Sequence, residues 1–377
     1  PRIWRKVVSM AVTDDLQAIQ ACISNSLDRD GIAKKLIAGV IGDTPSTYSK
    51  SPALWNGVFR ALRLDAVYLP FDVHEPQLQT LVHALRELDR VMGVSVTVPY
   101  KTRIMEYLDD LDAKADQIKA VNTIVRTADG RLVGYNTDGK GLLESILRPQ
   151  TGQPGPLMET LGGMDVLLIG AGGAARSVAF YLAEALKNGS LIVCNRTPKT
   201  AFSLAQQIKE AFGNARAVKE DEIGLWAPKV GLIVNSSTKG QGGIRKSPDG
   251  KVMTLEPYSA LAPANPAALP ESAPEFYPNW FKASRADIDA NNRASWDLAL
   301  SVPPKTGFCD LIYHPEETVF LCHGRLSGHR TLNGKGMLIA QAADALFDKV
   351  CSEYLHKAGL YNAATYQRVL EIMYESW

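Results

Sequence analysis

Lys101 is the first residue of this chain whose position could do chemistry. The stretch Val94-Ser95-Val96-Thr97-Val98-Pro99-Tyr100-Lys101 starts as an alternating β-branched strand, the pattern of a buried or half-buried pleated element. It stops at Pro99, which can donate no ladder hydrogen bond and belongs at a strand end. Thr97 and Lys101 therefore stand where a strand gives way to a loop, the usual address of chemistry in α/β folds. An ammonium held rigidly there can carry a proton. By itself the stretch also suits a solvated loop lysine.

A second candidate is Gly170-Ala171-Gly172-Gly173-Ala174-Ala175, which follows the apolar run Val166-Leu167-Leu168-Ile169 and precedes a helical stretch. Glycines so placed permit a tight turn and let backbone N–H groups approach a pyrophosphate at a helix N-terminus. The alternative is a plain βα turn. The end of the next strand bears on cofactor choice. Asn195-Arg196-Thr197, with Lys199 nearby, has no carboxylate for a ribose 2′-hydroxyl, whereas Arg196 can grip a 2′-phosphate through its planar fork. NADP is the expected nucleotide.

Three further polar clusters fall at strand ends or turns: Ser49-Lys50-Ser51-Pro52, Asn122-Thr123, and Asn136-Thr137-Asp138-Gly139. Singly they have ordinary explanations. Ser51-Pro52 can start a helix, and Asp138-Gly139 can be a turn.

The elements that must position these groups follow from periodicity. Strands are predicted at Leu36 to Ile41, Ala66 to Phe71, Val91 to Val98, Val121 to Arg126 and Leu132 to Tyr135, with Asp129-Gly130 turning the last pair. Helical spacing marks Leu54 to Leu62, Leu78 to Leu88, Thr102 to Leu108 and Ala113 to Ile118. Further strands are expected at Val166 to Ile169, Leu191 to Cys194, Leu232 to Asn235 and Asp310 to Tyr313. Helices are expected over Ala201 to Phe212 and Met337 to Leu355. Strand-helix alternation argues an α/β chain with helix-covered sheets and right-handed crossovers.

At 377 residues, two domains are the natural expectation. The expected division is an appended, loosely docked extension over 1–35 with a helix starting near Asp14-Asp15-Leu16, and a first domain over 36–148. A Pro/Gly-rich linker to residue 163 and a Rossmann-like domain over 164–335 follow. Residues 240–304, dense in Pro, Ala, Ser and Asn, read as an insertion ordered in part by Trp280 and Trp296. The C-terminal segment 336–377 should pack back on the first domain.

With 41 basic and 40 acidic residues there is no electrostatic footprint for nucleic acid or an anionic membrane. No apolar run reaches membrane-span length, and no signal-peptide core follows the basic Pro1–Lys6 stretch. The absence of an initiator Met suggests trimming. Five cysteines without a C-x-x-C pattern point to a reduced, cytoplasmic compartment. His314, His323 and His329 lack zinc-site spacing, and His314 and His323 flank an expected strand, so no metal is expected.

Taken together, in order and spacing, these motifs resemble the shikimate dehydrogenase family. The matching pieces are Ser49-Lys50-Ser51-Pro52, Val96 to Lys101, Ala120-Val121-Asn122-Thr123, Gly134 to Gly139, the Gly170 loop and Asn195-Arg196-Thr197. Asp310-Leu311-Ile312-Tyr313-His314-Pro315 and Gly334 to Ala342 complete the set, collinear from about Leu36 to Phe347.

The resemblance implies an N-terminal substrate domain, a C-terminal Rossmann-like NADP domain and catalysis between them. Its activity would be reversible reduction of 3-dehydroshikimate to shikimate, so the partner is a small cyclic hydroxy acid bound by a monomer or homodimer. Carried over by motif, Ser49 and Ser51 would hold the substrate carboxylate. Thr97, Asn122, Asp138, Tyr313 and Gln341 would surround the ring. Lys101 and Asp138 would form the catalytic pair. Gly170, Ala171, Gly172, Gly173, Ala174, Asn195, Arg196, Thr197, Lys199, Gly336 and Met337 would serve the cofactor.

Three departures stand out. Ser95 replaces the usual asparagine two residues before Thr97, and the serine turn carries one extra residue. The insertion lies between Asn235-Ser236-Ser237-Thr238 and Asp310, flanks expected on the nicotinamide side. Quinate is the alternative substrate, with Ser51 leaning towards shikimate. A regulatory paralogue without chemistry is the alternative of another class, and the retention of Lys101 and Asp138 speaks against it.

Overall fold

A computed structural model describes residues 15–32, 34–150, 152–246, 252–270 and 275–377. The Pro1–Lys6 stretch and Asp14 lie outside the described residues. The chain groups into two compact units. The described residues up to Thr137 with Ile339–Trp377 make one, and Asp138–Leu338 make the other.

The first unit is built on β1 (Leu36–Gly42), β2 (Ala66–Asp72), β3 (Val91–Val96), β4 (Asp110–Leu111), β5 (Thr123–Arg126) and β6 (Leu132–Tyr135). Their order is β2-β1-β3-β5-β6-β4. Strands β1, β2 and β3 run parallel, and β5 returns antiparallel to β3. The parallel pairs need helical crossovers. The Ser51–Ala61 helix buries Leu54, Trp55, Val58 and Phe59, and the Leu78–Glu87 helix buries Leu78, Leu81, Val82 and Leu85. Strand β3 ends at Val96 rather than at Val98, because Val98 already points to solvent ahead of Pro99. The predicted helix over Thr102 to Leu108 is a single 3-10 stretch, Arg103–Tyr107.

The segment before β1 is not loosely docked where it is described. Leu16, Ile19, Cys22, Ile23 and Leu27 join the core that contains Leu78, Leu81 and Leu85. Asn25 also imitates a strand along the open edge of β2. Its amide donates to the Pro70 carbonyl (3.0 Å) and accepts from Asp72 N (2.9 Å). That covers an edge that would otherwise be open to pairing. At the other terminus, the Ala363–Glu375 helix packs on the Ser51–Ala61 helix and buries Val369, Ile372 and Met373.

The second unit carries β7 (Val166–Ile169), β8 (Leu191–Cys194), β9 (Ala215–Val218), β10 (Leu232–Asn235), the hairpin strands β11 (Ile244–Lys246) and β12 (Val252–Thr254), β13 (Gly307–Asp310) and β14 (Thr331–Leu332). Its main sheet is all parallel in the order β14-β13-β10-β7-β8-β9. The chain marches from β7 out to β9, then returns to the other side of β7 at β10. This reversal is the place where doubly wound sheets open a crevice. The Asp138–Leu147 helix packs on the Gly173–Leu186 helix, which is why the division falls after Thr137 rather than near residue 148.

The strand expected at Asp310 to Tyr313 spans Gly307–Asp310 instead, because the Asp310 carboxylate accepts from Ile312 N (3.0 Å) and turns the chain. The span flanked by His314 and His323 is not a strand. Thr318 caps a Val319–Leu326 helix by accepting from Leu321 N.

Within the insertion runs a 26-residue helix, Phe276–Ser301. Its buried face is Trp280, Ser284, Ile288, Asn291, Ser295 and Ala299, spaced by three and four residues. Half of that face is polar, so apolar periodicity does not reveal it. Among the described residues no helix is long and apolar enough to cross a membrane. No group of three or more His, Cys, Asp or Glu among them is placed to hold a metal ion.

Candidate active site

In the first unit the candidate residues gather through backbone bonds at the carboxyl ends of β1 and β3. Thr97 N donates to Ile41 O (2.9 Å), Val96 N to Asn122 O (2.7 Å), and Val121 N to Lys101 O (2.8 Å). These bonds fix Thr97, Lys101 and Asn122 along one edge. Asn122 is 3% exposed and fully engaged. Its Oδ1 accepts from Thr137 N (2.9 Å) and Thr123 Oγ1 (3.0 Å). Its Nδ2 donates to Thr137 Oγ1 (3.0 Å) and Gln341 Oε1 (3.2 Å). Thr137 Oγ1 in turn donates to the Gln341 carbonyl (3.1 Å). Buried amides satisfied in this way hold their rotamers, which is the preorganisation a binding site needs.

Ser49 and Ser51 lie on the turn into the Ser51–Ala61 helix, where Ser49 Oγ accepts from Ser51 N (3.3 Å). Ser95 is half-buried on β3, opposite Val40 and Thr123. Tyr68 on β2 is a residue that sequence reasoning missed. Its hydroxyl is buried without a hydrogen bond of good geometry. Burial pushes its phenol pKa up, while the Ser95 and Ser51 hydroxyls beside it act against that rise. One tyrosine in an apolar strand carries no sequence signal of such a place.

Asp138 and Tyr313 belong to the second unit. Asp138, 6% exposed, is the first residue of the Asp138–Leu147 helix. Tyr313 is half-buried just after the Asp310 turn.

Five of the nucleotide candidates, Gly170, Ala171, Gly172, Asn195 and Arg196, meet at the sheet reversal. A cleft of about 220 Å³ is lined by Ile169 to Gly172, Asn195 and Arg196, Glu220, Ser236 to Lys239, Leu255 and Ala264. Gly170 has φ +116°, and a Cβ there would stand 2.6 Å from Ser236 Oγ, so no other residue fits this turn without displacing the β10 loop. No side chain caps the Gly173–Leu186 helix at Gly172, and a Cβ built at Gly172 or Gly173 meets nothing within 4 Å. Open space in front of uncapped N–H groups suits a phosphate.

Thr197 and Lys199 are exposed on the next turn, and Gly173 and Ala174 lead into the helix; none of the four lines the cleft. Gly336 and Met337 do not line it either. Glu220, Lys239, Leu255 and Ala264 were not anticipated. Glu220 sits in a charged run that reads as a solvated turn.

The sequence pattern described as shikimate dehydrogenase substrate binding domain matches residues 40–124, a span holding Ser49, Ser51, Thr97, Lys101 and Asn122. A protein of Desulforamulus reducens named shikimate dehydrogenase (NADP(+)) is 33% identical over 312 residues, covering 82% of this chain and 87% of its own length. The chain belongs to the shikimate dehydrogenase family. A shikimate dehydrogenase crystal structure in complex with NADP+ superimposes with a TM-score of 0.63 at 29% identity, covering 91% of this chain and 95% of that one. The Thermus thermophilus enzyme, solved with NADP(H) and shikimate, gives 0.60 at 26% identity, covering 91% and 100%.

Proposed function

We propose that this chain is an NADP-dependent shikimate dehydrogenase that interconverts 3-dehydroshikimate and shikimate. The observation that carries the reading is its similarity, over most of both lengths, to a protein named shikimate dehydrogenase (NADP(+)). When bound, NADPH supplies the hydride. Lys101 donates a proton to the oxygen on which negative charge develops, and takes it back in the reverse direction. Asp138 supplies the carboxylate that balances that ammonium. Ser49 and Ser51 donate to the substrate carboxylate, and Thr97, Asn122, Tyr313 and Gln341 meet the ring.

Asn195 and Arg196 stand on the β8 turn at the cleft, where an NAD-selective site would carry an acid. Arg196→Leu is expected to raise the Kd for NADP+ by roughly 10- to 100-fold and leave NAD+ nearly unchanged, the size of a lost charge-assisted contact. Equal weakening of both nucleotides would count against a 2′-phosphate contact.

Ser95 favours weighing quinate as a second substrate, because a shorter side chain in that place leaves room beside the ring. Steady-state kinetics with shikimate and quinate, each with NADP+ and NAD+, test the reading. Shikimate with NADP+ should give the highest kcat/KM. Turnover of neither acid with either nucleotide would overturn it.

A further inference from the structure

The flanks of the insertion are expected on the nicotinamide side, and two residues of the insertion itself, Leu255 and Ala264, line the same cleft as Arg196 and the glycine loop. We propose that residues 255–264 form the wall against the adenosine end of the bound nucleotide. This rests on the nucleotide reading of the cleft given above.

Strand order points to the adenosine end. The cleft runs from β10 across β7 to β8, and Glu220 reaches it from just beyond β9. In a doubly wound sheet the outer strands on the β8–β9 side carry the adenosine, because the acid or arginine that reads its ribose sits at the end of the second strand. Lys239, after β10, crosses to that side. It is 6% exposed, forms an ion pair with Glu220, and donates to the Ala262 carbonyl (2.6 Å). Gly240 N donates to Leu255 O (2.8 Å). The β10 loop is thus bonded directly to the insertion at the Glu220 end of the cleft.

The wall is rigid. Leu255 and Ala264 belong to a small core with Tyr258, Trp280 and Ile288. Asn291, buried on the long helix, accepts from Ser259 N (2.8 Å), and its Nδ2 lies within hydrogen-bond reach of the Ala262 and Pro263 carbonyls (3.0 and 2.9 Å). Ala260 and Leu261 pack with Ile192 and Phe308 of the parallel sheet. Segment 255–264 is therefore wedged between helix and sheet and presents a fixed apolar surface, which suits the face of a flat base.

Calorimetric titration with 2′,5′-ADP, which has the adenosine and 2′-phosphate but no nicotinamide, tests this against NADP+. Ala264→Leu, which fills the cleft, is expected to raise both Kd values by about 10-fold or more, and Leu255→Ala by about 3- to 10-fold, the range for one aliphatic contact. The factor should be the same for both ligands. Wild-type affinity for 2′,5′-ADP in both variants, or weakening confined to NADP+, overturns the inference alone. Wild-type protein that binds neither ligand overturns the nucleotide reading as well. Hydrogen exchange on the unaltered protein provides the second measurement should the variants fold poorly. Saturation with 2′,5′-ADP is expected to slow exchange across 252–264, and unchanged exchange there overturns the proposal.

Discussion

Replacing Lys101 with alanine is expected to lower kcat by roughly 100- to 10,000-fold, the range for loss of a general acid, with KM changed far less. The fold should survive the change. Lys101 is held by its backbone, through the bond from Val121 N, and its side chain is half-exposed beyond the strand end. The neighbouring Tyr100 anchors the turn, buried with its hydroxyl donating to the Val73 carbonyl (2.8 Å). A melting temperature near that of the wild type would separate lost chemistry from lost structure. Lys101→Arg keeps the charge but holds its proton too tightly to give it up, so it should recover binding and little turnover. A large rise in KM at constant kcat would show that Lys101 only binds substrate. Single-turnover rates with NADPH and 3-dehydroshikimate would make the distinction directly.

The second large effect concerns Asp310 and stability rather than catalysis. Asp310 is fully buried at the end of β13, and that burial pushes its carboxyl pKa up to about 7. Hydrogen bonds from Ile312 N (3.0 Å), Thr318 Oγ1 (2.7 Å) and Asn235 Nδ2 (3.0 Å) act in the opposite direction without cancelling it. In the unfolded chain an aspartate titrates near 3.9. Between about pH 4 and pH 7 the folded state therefore holds a proton that the unfolded state has lost. The contribution is fully present below the unfolded value and disappears as pH rises through 7, amounting to about 4 kcal/mol across the interval. The denaturant midpoint should accordingly fall between pH 5 and pH 8. Asp310→Asn is neutral throughout and can keep all three bonds, since its amide can donate to Thr318 Oγ1 while its oxygen accepts the other two. Its midpoint should lack this component of the slope. Identical pH profiles for the two proteins would show that Asp310 does not titrate in the folded state.

Much of the fold could be read from the chain because its signals are local. The apolar runs of β7, β8 and β10 and the glycine loop are contiguous, so propensity and spacing suffice to find them. The helices at Leu54 to Phe59 and Leu78 to Leu85 show their buried faces in their periodicity. The family motifs are contiguous too, which is why the shikimate dehydrogenase family was legible in the sequence. The strands β9 and β14 were not anticipated. They lie at the two ends of their sheet, and β14 is two residues long.

Side chains brought together across long separations could not be read in that way. Asn122 and Gln341 share a hydrogen bond across 219 positions, and Asn25 covers β2 from a segment with no strand pattern. The Phe276–Ser301 helix was hidden because its buried face uses Ser284, Asn291 and Ser295, whose partners lie elsewhere in the fold. The sequence alone determined the family and most strands and helices in their order along the chain, and it pointed to the short motifs proposed for the site. Only the tertiary structure decided what stands beside those groups. The Lys239–Glu220 pair, the hydroxyls around Tyr68 and the insertion's place at the cleft arise from contacts between segments far apart in the chain. Local propensity governs the backbone of each segment, and packing with hydrogen-bond satisfaction governs which segments meet.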